Sequence, residues 1–189
     1  LALALRLGRG FLICLAIYLA LNVLYSLALK RLVILDVMTI ALGFVLRVEA
    51  GALAIAVEVS SWLLLCTTFV ALFLGFAKRR HELALQPQSG TGTRSVLEHY
   101  NLTFVDQMIN VVTASTVVSY ALYTVAPETT ARLGTRHLVW TLPLVLFGIF
   151  RFLYLLHQRP GARNPTETIL TDPPFLVNMA LWGAIVLLL

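Results

Sequence analysis

Long apolar runs, separated by short polar punctuation, make up most of this chain. Phe11 to Leu29 is nearly unbroken and of bilayer length, and Lys30-Arg31 closes it. A second run, about Leu32 to Val57, carries Asp36, Arg47 and Glu49. Trp62 to Phe76 forms a third, with Trp62 as an interfacial anchor, and Lys78-Arg79-Arg80 is expected to stop it. The polar stretch 77–103 contains Gln86-Pro87-Gln88-Ser89-Gly90-Thr91-Gly92, a loop signal, followed by an expected short helix over Arg94 to Tyr100. A fourth span covers about Phe104 to Val125 and a fifth Leu138 to Leu156, with Arg151 inside it. After a polar connection, Phe175 to Leu189 is a sixth, marginal in length. Strands standing alone would leave backbone groups unpaired in lipid, so all six are expected to be helices. The fold class is therefore all-α: a polytopic transmembrane bundle, read as one integral membrane domain over residues 1–189.

If the spans alternate, the connections near 30, 78–94 and 159–163 share a side. They hold Lys30, Arg31, Lys78, Arg79, Arg80, Arg94, Arg159 and Arg163, against Arg6, Arg9, Arg132 and Arg136 opposite. The positive-inside rule puts the richer side in the cytoplasm. Composition agrees with a membrane protein: 59% of residues are hydrophobic, only 12% are charged, and mean hydropathy is +0.88. The net charge of +5 is spent in these short connections and is no signature of nucleic-acid binding. Cys14 and Cys66 sit in apolar stretches without metal spacing and read as small buried residues. His81, His99, His137 and His157 are scattered near span ends. The chain opens at Leu1 inside an apolar run, with no charged start or cleavage site, so the natural start is expected further upstream.

Charges at membrane depth are costly and point to a polar cavity or a partner. Asp36 and Arg47 are eleven residues apart, three helical turns plus about 20°, so Asp36, Ile40, Gly43, Arg47 and Gly51 are expected on one face. That stripe reads as a cavity lining or as one side of an ion pair to another helix. Asn22, Tyr25 and Lys30 close the first span. Lys30 and Arg31 fit phosphate oxygens, and fit topology anchors as well. Lys78, Arg79, Arg80 and Glu82 are the densest charge group. They read either as a phosphate clamp with Glu82 at a hydrated Mg²⁺, or as a helix surface with a Lys78–Glu82 pair at i,i+4. Arg151 and Tyr154 share a face, and Asp172 follows in reach of a basic group.

Asn22-Val-Leu-Tyr25 through Lys30 to Asp36, Gly43-Phe-Val-Leu-Arg47 through Gly51, and Lys78-Arg-Arg-His-Glu82 together resemble the UbiA superfamily of intramembrane prenyltransferases. More narrowly, they resemble its decaprenyl-phosphate phosphoribosyltransferase branch. Val96-Leu-Glu98-His-Tyr100, Asp106-Gln-Met108, Val118-Ser-Tyr120-Ala-Leu-Tyr123, Phe150-Arg151-Phe-Leu-Tyr154 and Pro165-Thr-Glu167 through Asp172 extend the likeness over nearly the whole chain.

The resemblance implies a nine-helix bundle, about six helices of it here, with a cytoplasmic polar cap in a bacterial plasma membrane. It implies Mg²⁺-dependent transfer of 5-phosphoribose from phosphoribosyl pyrophosphate to a polyprenyl (decaprenyl) phosphate, feeding cell-wall arabinan precursors. A homo-oligomer stays open. Two departures stand out. The family's NDxxDxxxD segment is absent, so the main Mg²⁺ ligands are expected upstream and this stretch alone is expected to be inactive. Tyr25 and Lys30 are one step further apart than the YxxxK spacing of many relatives. The expected roles are Lys30, Lys78, Arg79 and Arg80 on phosphates, with Asn22, Tyr25 and Arg151 also at substrate. Glu82 and Asp36 are expected at metal or ribose hydroxyls, and Arg47 at the acceptor phosphate or orienting Asp36. Prenyl transfer to an aromatic acceptor, or a membrane transporter or scaffold, are the alternatives.

Overall fold

A computed structural model describes residues 8–85, 97, 100–158 and 165–189. The expectations for the 86–92 loop, for most of the helix at 94–100, and for Arg6, Arg94, Glu98, His99, Arg159 and Arg163 lie outside the described residues. Within them every regular element is helical. The helices are α1 (Arg9–Leu27), α2 (Leu35–Ala54), α3 (Ser61–Ala84), α4 (Leu102–Val125), α5 (Pro127–Leu133), α6 (Leu142–Gln158), α7 (Pro165–Leu170) and α8 (Pro173–Leu188). Short 3₁₀ turns at Leu29–Arg31 and His137–Thr141 lead into α2 and α6. Five stretches are long and apolar enough to cross a membrane: Arg9–Leu27, Leu35–Ala54, Ser61–Ala84, Leu102–Val125 and His137–Gln158. The last apolar helix, α8, has 16 residues. The chain is a multi-pass membrane protein, since such helices, exposed around most of their circumference, find their solvent in lipid.

Three of the helices start where the sequence supplies a side-chain cap. Ser60 accepts from the Trp62 amide at the head of α3, and Asn101 accepts from Phe104 at 2.6 Å at the head of α4. Asp172 accepts from Phe175 at 3.0 Å ahead of Pro173 and Pro174, which open α8 without needing N–H partners. Gly134 ends α5 in the left-handed conformation, φ 67°.

Two boundaries correct the sequence reading. The third span does not stop at Lys78-Arg79-Arg80: α3 runs through them to Ala84. Lys and Arg are good helix formers, and Arg79 pairs with Glu82 one turn on, so the charges continue the helix instead of breaking it. At 24 residues α3 is about 36 Å long, more than the roughly 30 Å of a hydrocarbon core, which carries its last turns into the interface. The second span starts at Leu35, later than Leu32, because Ile34 holds a positive φ of 70° that no helix accommodates.

α2, α3 and α4 pack side by side in chain order, and α6 closes the group against α4. The tight core gathers Val37, Phe73, Phe76, Ala77, Val105, Ile109, Phe152 and Leu156, with the Phe73 and Phe152 rings 4.8 Å apart. It lies toward the end of the bundle where α3 and α6 finish and α2, α4 and α8 begin. That end carries the ionic residues.

Candidate functional site

The polar end is built on one buried ion pair. Asp36, in the first turn of α2, and Arg79, in the last turns of α3, are 0% and 2% exposed. Arg79 Nε donates to Asp36 Oδ2 at 2.7 Å, and a further guanidinium nitrogen, Nη1, donates to Glu82. The other oxygen of Asp36 accepts from the Tyr100 hydroxyl at 2.8 Å, and that hydroxyl in turn accepts from the Ile34 amide at 2.6 Å. Tyr100 thus joins the start of α4 to the entry of α2 and holds the strained Ile34 in place. Burial is the main cause that keeps the Tyr100 phenol protonated well above its ordinary range, so it remains a donor.

Arg80 turns to the other side of α3. Its Nε donates to Asp106 of α4 at 2.6 Å and its Nη1 to the carbonyl of Leu156 on α6 at 3.0 Å. His157 Nε2 lies 3.6 Å from the same Asp106. Arg151 of α6 grips Asp172, the cap of α8, through two nitrogens at 3.0 and 2.8 Å, with its guanidinium 5.2 Å from the Tyr154 ring centre. These pairs tie α2 to α3, α3 to α4 and α6, and α6 to α8, all at one end. Lys30, Arg31 and Lys78 are exposed at that end and have no ion pair among the described residues.

The structure therefore brings Asp36, Arg79 and Glu82 together, turns Arg80 away to Asp106 and Leu156, and leaves Lys30 and Lys78 exposed with no ion pair among the described residues. It does not bring Arg47 to Asp36, and the two ends of the stripe have different partners. The stripe lies over the seam where α2 meets two neighbours. Asp36 reaches α3, whereas the long side chain of Arg47, about 16 Å further along, crosses to α1 and donates to the Tyr18 hydroxyl at 2.5 Å. Arg47 does not orient Asp36. The expected Lys78–Glu82 pair is also replaced, since Glu82 is taken by Arg79. Asn22 donates to the Tyr18 carbonyl one turn back in α1, and Tyr25 lies close by.

Mg²⁺ finds one fitting ligand here. Glu82 is 26% exposed and accepts from Arg79 through Oε2, with no partner of Oε1 among the described residues, whereas both oxygens of Asp36 are engaged inside the bundle. No group of three metal-ligating side chains occurs among the described residues. Glu82 would serve beside substrate phosphates, as Mg²⁺ usually binds, and not as part of an all-protein cage.

Tyr18, Tyr100 and Asp106 escaped the sequence reading as partners. Tyr100 and Asp106 stood only inside stretches of family likeness, and Tyr18 reads as one more apolar residue of a span. A second feature was not legible at all: an apolar cleft of 440 Å³ between α3, α4, α6 and α8, bordered by Cys66, Phe73, Thr113, Phe152, Asn178 and Trp182 among others.

No protein-family profile matches the chain. Three curated relatives share one name, decaprenyl-phosphate phosphoribosyltransferase. The protein of that name from Corynebacterium glutamicum is 34% identical over 107 residues, 57% of this chain and 32% of its own length. The one from Mycolicibacterium smegmatis is 28% identical over 175 residues, 90% of this chain and 55% of its own. The one from Mycobacterium tuberculosis strain CDC 1551 is 29% identical over 107 residues, 57% of this chain and 35% of its own. The chain thus spans from about a third to a little over half the length of the relatives it matches. These relatives bear out the resemblance to this branch of the UbiA superfamily.

Proposed function

We propose that this relative of the decaprenyl-phosphate phosphoribosyltransferases serves the transfer of 5-phosphoribose from phosphoribosyl pyrophosphate to a polyprenyl phosphate. The observation that carries the reading is the gathering of cations at one end of an apolar bundle. There a water-soluble, highly anionic donor can meet an acceptor dissolved in lipid. A phosphate oxygen of the acceptor forms the new bond to the anomeric carbon, while the bond from that carbon to pyrophosphate breaks and its electron pair leaves with pyrophosphate. The acceptor is already anionic, so no strong general base is required. The work lies in stabilising charge on the leaving group.

In this reading Lys30 and Lys78 meet donor phosphates directly, as mobile point charges. Arg79 and Arg80 are held by carboxylates and add fixed positive field. Glu82 offers one oxygen to a Mg²⁺ ion, whose role would be to neutralise the diphosphate. Arg151, locked to Asp172, fixes the neighbouring helix ends. The side bearing these groups faces the cytoplasm of a bacterial plasma membrane, and the lipid product would supply pentose donors for cell-wall arabinan.

Membranes holding the full-length protein, given labelled phosphoribosyl pyrophosphate and polyprenyl phosphate, are expected to place label in the lipid fraction. Lys78→Ala is expected to lower incorporation by about 10²-fold at unchanged protein level, the scale of losing one transition-state donor. Full incorporation by that variant would remove Lys78 from the site, and no incorporation by the unaltered protein would sink the transferase reading.

A further inference from the structure

We propose that the pocket between α1 and α2 seats the phosphoryl head of a membrane lipid on Arg47. The pocket measures 120 Å³ and is lined by Tyr18, Asn22, Tyr25, Thr39, Gly43 and Arg47 with three apolar neighbours. No carboxylate borders it.

Arg47 differs from the other arginines set in the spans. Arg79, Arg80 and Arg151 each hold a carboxylate, whereas no ion pair at Arg47 occurs among the described residues. Glu49 stands two residues on, too far round the helix to face it. Among the described residues the guanidinium has the Tyr18 hydroxyl and the faces of Tyr18 and Phe44, with ring centres 5.2 and 5.1 Å away. Aromatic faces orient a cation and leave its charge uncompensated. Arg47 lies twelve residues into α2, about 18 Å from its start, so this charge stands deep in the hydrocarbon layer. A cation placed there points to an anionic partner.

The partner's chemistry follows from the walls. Tyr25, Thr39, Asn22 and Tyr18 step down from the polar end toward Arg47, a ladder of polar groups that an anionic head can follow without crossing bare hydrocarbon. Around them Leu24, Met38, Leu42 and Phe44 are exposed and apolar. A head with a tail is satisfied on both counts, whereas a free sugar phosphate has no apolar part to lie against those side chains. Gly43 keeps the space open: a Cβ there would come no nearer than 3.7 Å to Tyr18, but a larger side chain would fill the pocket. This inference rests on the proposed reaction only for the identity of the lipid, the acceptor.

The test measures binding of farnesyl phosphate to the full-length protein in nanodiscs, with farnesol and inorganic phosphate as competitors. Farnesyl phosphate is expected to bind the unaltered protein, Lys78→Ala and Arg47→Lys within a few-fold. Binding to Arg47→Gln, and to Gly43→Leu, which keeps the charge but fills the space, is expected to be at least tenfold weaker. Equal binding to Arg47→Gln would overturn the proposal. So would displacement by inorganic phosphate at equal concentration, which would mark a free-phosphate site, or by farnesol, which would mark a site for the tail alone. Arg47-dependent binding in a protein that transfers no label from phosphoribosyl pyrophosphate would sink the reaction and support the seat.

Discussion

Removing one side of the Asp36–Arg79 pair strands the other inside the bundle. Arg79→Gln is expected to cost about 3–5 kcal/mol, because Asp36 is fully enclosed and keeps, among the described residues, Tyr100 alone. Asp36→Asn combined with Arg79→Gln is expected to recover part of that loss, and thermal unfolding in detergent of both singles and the double measures the coupling. Tyr100→Phe leaves a carboxylate oxygen and the Ile34 amide without a donor and an acceptor, and is expected to cost about 1–3 kcal/mol. That cost depends on pH with a definite sign. The folded protein holds the Tyr100 proton more tightly than an unfolded chain, so its contribution is complete below about pH 10 and declines above it. The stability gap between the unaltered protein and Tyr100→Phe should therefore narrow above pH 10, and a gap that widened would contradict it. At this scale the sequence disclosed which residues were out of place, since Asp36, Arg47, Arg79 and Arg151 stand in apolar runs. It marked Asp172 as able to pair with a basic group, but it could not disclose the partners of Asp36 and Arg47, because Tyr18 and Tyr100 lie elsewhere in the chain and carry no mark of the contact.

The helices themselves were easier to read. Each apolar run that looked long enough to span became a helix, because lipid leaves the backbone no other way to satisfy itself. What hydropathy could not see was how closely two helices approach. At Gly75 of α3 a Cβ would stand 2.6 Å from Cγ1 of Val37, which is fully buried on α2. Gly75→Ala is expected to push α2 and α3 apart at a cost of about 1–3 kcal/mol, and Val37→Ala in the same chain should relieve it. Unfolding midpoints of the two singles and the double decide this. Hydropathy also misjudged the end of α3. Basic residues are poor company for lipid but good company for a helix, so the helix outlasts its apolar part and delivers Lys78 to the interface.

Across the whole molecule the charges are sorted. Arg79, Arg80 and Arg151 hold helix ends together, and the exposed Lys30, Arg31 and Lys78 have no ion pair among the described residues. Arg132, at the opposite end, has only an exposed contact with Glu58 at 3.7 Å. Arg132→Ala should leave label incorporation unchanged where Lys78→Ala lowers it about 10²-fold, and equal loss in both would contradict the placing of the reaction at the Lys78 end. The turn at Ile34 adds a constraint in time. Its left-handed backbone is fastened by a hydroxyl that arrives 66 residues later in the chain. During synthesis α1 and α2 must therefore wait, their junction unsettled, until the start of α4 begins to dock. The junction should lock later than the two helices it joins and exchange its amide hydrogens before they do.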